Sequence, residues 1–269
     1  MIDEKFKMML YEIARFCFRD VADNDYLSAR ILFRNGLIQQ AYWCSEQAVE
    51  KYLKSILLFN ENSALYQYNS KEKIGHNLKL ALQKIEKIPH IKIELPDDVR
   101  ESIMELNNEG NNRYYEYPYS FSDLTFLKLD KLVWHIRRYC IPMGGPFNIG
   151  SKVINLQEYE VIIAHQDKYK KLPSKYNFAS KGVLEIILDD KKSIQRKQLI
   201  WKNKYFGKRQ KRILKNIQIV HSYGNPPHFS EGCDIGELSK YISLNKDVVN
   251  YLKTSYNPRL NSTASSNRS

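Results

Sequence analysis

The stretch from Ala41 to Leu58, AYWCSEQAVEKYLKSILL, decides the fold. Ala41, Cys44, Ala48, Val49, Tyr52, Leu53, Ile56 and Leu57 step by three, four or one, so a helix gathers them into a single stripe that must be buried. Glu46, Glu50, Lys51 and Lys54 fall off that stripe and are expected on a solvated helix face or in a dimer contact. Glu50 stands four residues before Lys54 and Gln47 four before Lys51, spacings at which helical side chains meet. Just upstream, Asn35-Gly36 supplies the left-handed stop that ends a preceding helix.

The flanks extend the helical pattern. Ala22, Tyr26, Ala29 and Phe33 share one face of the helix that precedes Gly36. Gly75-His76-Asn77-Leu78 opens another helix, with Leu78, Ala81, Leu82 and Ile85 as its stripe. Pro96-Asp97-Asp98 makes a favourable first turn, with proline where no amide hydrogen is needed and carboxylates at the positive end of the helix dipole. Val99, Ile103 and Leu106 point inward from it. Ser122-Asp123 caps a last helix bearing Leu129, Leu132, Val133, Ile136 and Cys140, which Pro142 and Gly144-Gly145 end. The core Ala41-x5-Gln47-Ala48-x-Glu50-Lys51-x-Leu53-Lys54, the helix before Gly36 and the Gly-His-polar-Leu start at Gly75 resemble the HEPN (higher eukaryote and prokaryote nucleotide-binding) domains. The resemblance covers residues 19–141 or so. It implies an all-α bundle, a homodimer formed through that domain, and a protein that handles nucleotides or RNA.

Composition bounds the rest. A chain of 269 residues suits a domain of ordinary size plus an appendage. No apolar run is long enough to span a bilayer, so no membrane partner is expected. The start, MIDEKFKMML, lacks a cleavable signal pattern. Cys17, Cys44, Cys140 and Cys233 form no Cys-x-x-Cys pair and suit a reducing cytoplasm, with Cys44 and Cys140 read as small core residues. The formal net charge of +12 is unevenly distributed. Through Gly144 there are 20 Lys/Arg and 20 Asp/Glu; from Gly145 onward there are 22 and 10, which recovers the totals of 42 and 30. Between Lys191 and Lys215, eleven bases meet no acid: Lys191, Lys192, Arg196, Lys197, Lys202, Lys204, Lys208, Arg209, Lys211, Arg212 and Lys215. Such a segment repels itself unless a polyanion is near.

Met143-Gly144-Gly145-Pro146 marks a boundary between an HEPN-like helical domain, residues 1–143, and a small mixed α/β basic module, residues 146–255. In the latter, Tyr159 to Ile163, Val183 to Leu188 and Ile217 to Val220 are short β-branched runs that predict strands. A terminal helix is predicted near Lys246 to Lys253, with Val248, Val249 and Leu252 facing inward. From residue 256 the tail has little to bury and is expected to be disordered.

Two stretches carry candidate chemistry. Many HEPN proteins are metal-independent ribonucleases that use Arg-x4-6-His near the start of the last helix. No arginine precedes His76, His90, His135, His165, His221 or His228 at that spacing. Where the motif belongs, the chain reads Asn111-Asn112-Arg113-Tyr114-Tyr115-Glu116-Tyr117-Pro118-Tyr119. Arg113 matches the family's Arg in place, but Pro118 and Tyr119 stand where the His is needed. A proline exchanges no proton, and a tyrosine of ordinary pKa is a poor base at pH 7. The resemblance is closer to the non-nuclease branch, whose Arg-Tyr-Pro-like element works beside nucleotidyltransferase partners. It implies that Arg113, Tyr114, Tyr115 and Tyr117 hold a nucleotide or short RNA. A structural turn is the alternative, and so is a divergent ribonuclease in which Arg113 is catalytic. In the second stretch, Trp201, Tyr205 and Phe206 interleave with Lys197, Lys202, Lys204, Lys208, Arg209, Lys211 and Arg212. Bases for phosphate and rings for stacking suit RNA or single-stranded DNA; a basic arm whose rings belong to a core, or one that docks an acidic protein, fits the same residues. His221, His228 and Cys233 match no metal-ligand spacing, and no metal or cofactor is expected. Family context suggests toxin–antitoxin or antiphage defence, with an antitoxin or nucleotidyltransferase-like protein as partner.

Overall fold

The computed structural model describes residues 4–65, 73–89, 93–109, 119–121, 123–141, 147–149, 152–154, 182–206, 222–224, 227–229, 235–238 and 246–256. Its described residues divide into two compact units.

The larger unit begins with one continuous helical path: α1 (Glu4–Ile13), a π-helical turn (Ala14–Arg19) and α2 (Asp20–Arg34). A π turn loosens the backbone ladder, and here the Ala14 carbonyl accepts a hydrogen bond from the buried Ser55 hydroxyl at 2.9 Å. Gly36, at φ +75°, turns the chain into α3 (Ile38–Phe59). The stripe predicted for α3 is the centre of the core: Ala41, Ala48, Val49, Tyr52, Leu53, Ile56 and Leu57 are all buried, with Cys44 partly so. Asn77 caps α4 (Leu78–Glu86) by accepting from the Leu80 amide at 3.0 Å. The Asn107 side chain of α5 (Asp97–Glu109) accepts from the Leu78 amide at 2.8 Å and fixes α5 to the start of α4. The last bundle helix, α6 (Asp123–Arg137), buries Phe126, Leu129, Leu132, Val133, Trp134 and Ile136. A hairpin of β2 (Phe147–Ile149) and β3 (Lys152–Ile154), α7 (Val183–Asp189) and α8 (Ile194–Ile200) complete this unit.

The smaller unit pairs β1 (Tyr119–Phe121) antiparallel with β4 (Ser222–Gly224), Ser120 opposite Tyr223. It adds a 3-10 turn (Pro227–Phe229), α9 (Ile235–Leu238) and α10 (Lys246–Tyr256). Ile235, Val248 and Leu252 form its core, with Phe229 and Val249 packed against them. This is the terminal helix expected near Lys246, with the inward face expected.

Three expectations are corrected. Val183 to Leu188 is a helix, not a strand: helical spacing lets Leu184 and Glu185 turn inward together while Ile186 stays exposed, and that contact overrides the β-branched composition. Glu46 and Glu50 are buried rather than solvated. Glu50 tolerates burial because its carboxylate accepts from Lys54 Nζ at 2.6 Å, and it meets His76 Nδ1 at 2.7 Å. Residues 182–206, expected in a separate C-terminal module, instead belong to the same compact unit as the helical bundle, held there by the contacts described next. The runs at 159–163 and 217–220, and the tail from 257, lie outside the described residues.

Candidate nucleic-acid interface

Helices α2 and α6 carry the same pattern in opposite directions. Asp23 and Arg30 are seven residues apart on α2, and Asp130 and Arg137 are seven apart on α6. Seven residues are two helical turns, about 10 Å, so antiparallel helices can pair both ends at once. Asp23 accepts from Arg137 Nε at 2.6 Å and Nη2 at 2.7 Å, while Arg30 pairs with Asp130. All four residues are buried.

Each pair is completed by residues 182–206. At one end Glu185 of α7 accepts from Arg137 Nη1 and Nη2, both at 2.7 Å. Glu185 also accepts from the Gly182 amide at 2.8 Å, and Asp23 from the Leu184 amide at 3.2 Å. Tyr52 donates to Asp23 at 2.7 Å. A side chain at Gly182 would lie 2.4 Å from Arg137 Nη2, so any larger residue would displace the guanidinium from this close approach. At the other end Arg30 donates to the carbonyl of Trp201, and Tyr26 donates to Asp130 at 2.6 Å. Asn203 donates to the Tyr26 hydroxyl at 3.0 Å and accepts from the amides of Tyr205 and Phe206, each at 2.9 Å. Burial, followed by the neighbouring carboxylate, pushes the Tyr26 and Tyr52 phenols well above their ordinary range, so both remain donors.

The rings of the basic segment are committed to this packing. Phe206 is buried against Tyr26 and Trp134, with centroids 5.7 Å from each. Tyr205 lies 6.1 Å from Trp134, and burial pushes its phenol up to about 12. Trp201, half-buried, meets Phe126 edge-on at 5.4 Å. Arg34 and Lys202 each lie over its ring, 4.9 Å from the centroid. Asn203 closes a turn by donating its amide to the Ile200 carbonyl at 3.2 Å, and Lys202 occupies the left-handed position of that turn at φ 49°.

Of the residues singled out for nucleic acid, the structure thus places Lys197 exposed on α8, with Lys202 and Lys204 half-exposed just beyond it. Lys208, Arg209, Lys211 and Arg212 lie outside the described residues, as do Arg113, Tyr114, Tyr115 and Tyr117. Arg34 was missed by the sequence reading. It is exposed at the end of α2 and donates to the Gln198 side chain at 2.7 Å. A second polar cluster runs along α3: Lys51 bonds Asp25 at 2.6 Å and Gln47 at 3.2 Å, and Glu50 joins Lys54 and His76. Among the described residues there is no group of three or more His, Cys, Asp or Glu able to hold a metal, and no helix long and apolar enough to cross a membrane.

No curated protein and no solved structure matches the chain. The family model of the HEPN domain matches residues 18–133, from the end of the π turn into α6. Over these residues, somewhat under half of the chain, the sequence is similar to the HEPN domain.

Proposed function

We propose that this HEPN protein binds nucleic acid, with RNA or single-stranded DNA as the ligand, and that binding rather than cleavage is its activity. The observation that carries the reading is the run of eleven bases without an acid between Lys191 and Lys215, in a chain whose first 144 residues are charge-balanced. The family match supports a role on nucleotides or RNA, and the docking of residues 182–206 on α2 and α6 ties the first part of that run to the HEPN domain. Arg113 with its neighbouring tyrosines is a second nucleotide-holding element. A homodimer through the HEPN domain, an antitoxin or nucleotidyltransferase-like partner and a place in toxin–antitoxin or antiphage systems follow from family context alone.

The rival reading is a divergent ribonuclease that uses Arg113. Both are tested by incubating the purified chain with labelled RNA in chelator. The binding reading expects a shifted, intact RNA. Metal-independent cleavage that Arg113→Ala abolishes, at an unchanged melting temperature, would overturn it.

A further inference from the structure

Three aromatic residues lie within the basic run, Trp201, Tyr205 and Phe206. A base stacks only on a ring face that is open. Phe206 is buried, Tyr205 packs on Trp134, and Trp201 is engaged by Phe126, Arg34 and Lys202. The cations are placed differently. Among the described residues Arg34 contacts neutral groups, the Gln198 amide oxygen and the Trp201 ring, and neither neutralises its charge. Arg34 and Lys202 are brought to the same indole from two separate elements, and Lys197 stands one position before Gln198 on α8.

We propose that Arg34 of α2 joins Lys197, Lys202 and Lys204 in one phosphate-reading surface, so that this site recognises the backbone of a nucleic-acid strand and not its bases. The proposal rests on the nucleic-acid reading above and deepens it. Trp201 serves here as the platform that holds two cations in place, rather than as a stacking partner for the ligand. The left-handed turn at Lys202 sets that residue over the indole.

The test uses the full chain with Tyr114, Tyr115 and Tyr117 replaced by Leu, so that the second nucleotide-holding element offers no ring, and two fluorescent 20-nucleotide single strands, one of ordinary mixed sequence and one with the same backbone and abasic sugars at alternate positions. Equal affinity within about twofold is expected. A single lost stacked base is worth roughly five- to a hundredfold, so a drop of tenfold or more on the abasic strand would overturn backbone-only recognition. Arg34→Gln should weaken binding of the ordinary strand about three- to tenfold and reduce the slope of log affinity against log salt by about 0.7, the value for one phosphate on a single strand. Arg34→Lys should keep the wild-type slope. If Arg34→Gln changed neither affinity nor slope, Arg34 would lie outside the surface; if Arg34→Lys lost as much as Arg34→Gln, its hydrogen bond and not its charge would matter. Either result overturns the proposal while leaving nucleic-acid binding intact. Absence of any binding by the wild-type chain would instead remove the reading on which it rests.

Discussion

Arg137 is the residue on which the bundle's polar interior turns. Its guanidinium donates to two buried carboxylates, Asp23 and Glu185, whose remaining acceptor sites take Tyr52 and the amides of Leu184 and Gly182. A buried ion network adds little stability over a well-packed apolar one, but removing one partner strands the others without water. Arg137→Met should therefore destabilise the chain by about 3–5 kcal/mol in urea unfolding. Lys128→Met, which breaks an ion pair to Glu105 that is more than half exposed, should change stability by no more than about 0.5 kcal/mol. Equal effects from the two substitutions would mean that Arg137 is solvated. The signal for this network was present in the sequence as two Asp-x6-Arg repeats. Charged residues between apolar ones read as a solvent face, and periodicity alone does not show which charges a neighbouring helix will cover.

At the scale of elements, helices with a clean apolar stripe and a marked start or stop were legible: α3 from its stripe, α2 from Gly36, α4 from Asn77, α10 from Val248 and Leu252. Illegible was the segment 182–206, because each of its helices is only seven residues long and its β-branched run imitates a strand. Its conformation is fixed by distant partners on α2 and α6. That dependence has a measurable consequence. A chain ending at residue 143 keeps Arg30, Asp130, Asp23 and Arg137 but loses Glu185, Asn203 and the apolar cover of Leu199 and Phe206. It should melt well below the full chain, and a peptide of residues 182–206 added in excess should raise its melting temperature. If the chain ending at 143 melted cooperatively at the full-length temperature, the segment would be an accessory and the boundary near Gly144 would be the true limit of the fold.

For the whole molecule, the charge distribution and the HEPN match point the same way. The first 144 residues are charge-balanced, and the segment 182–206, which carries the first cations of the basic run, is anchored to α2 and α6 through buried polar contacts. Cations held on a rigid scaffold bind a polyanion with less loss of conformational freedom than the same cations on a free arm. Neutralising phosphates releases counterions, so such binding is sequence-tolerant and falls steeply with salt. The measurement that tests this most directly is fluorescence anisotropy of a labelled single-stranded RNA, titrated with the full chain and with the variant in which Lys208, Arg209, Lys211 and Arg212 are all Gln, at several salt concentrations. The wild type should lose affinity linearly in log salt, and the variant should bind more weakly with a slope shallower by about 3, roughly 0.7 for each of four lost phosphate contacts. An affinity that is flat with salt, or identical in the two proteins, would contradict the assignment of the basic segment to nucleic acid.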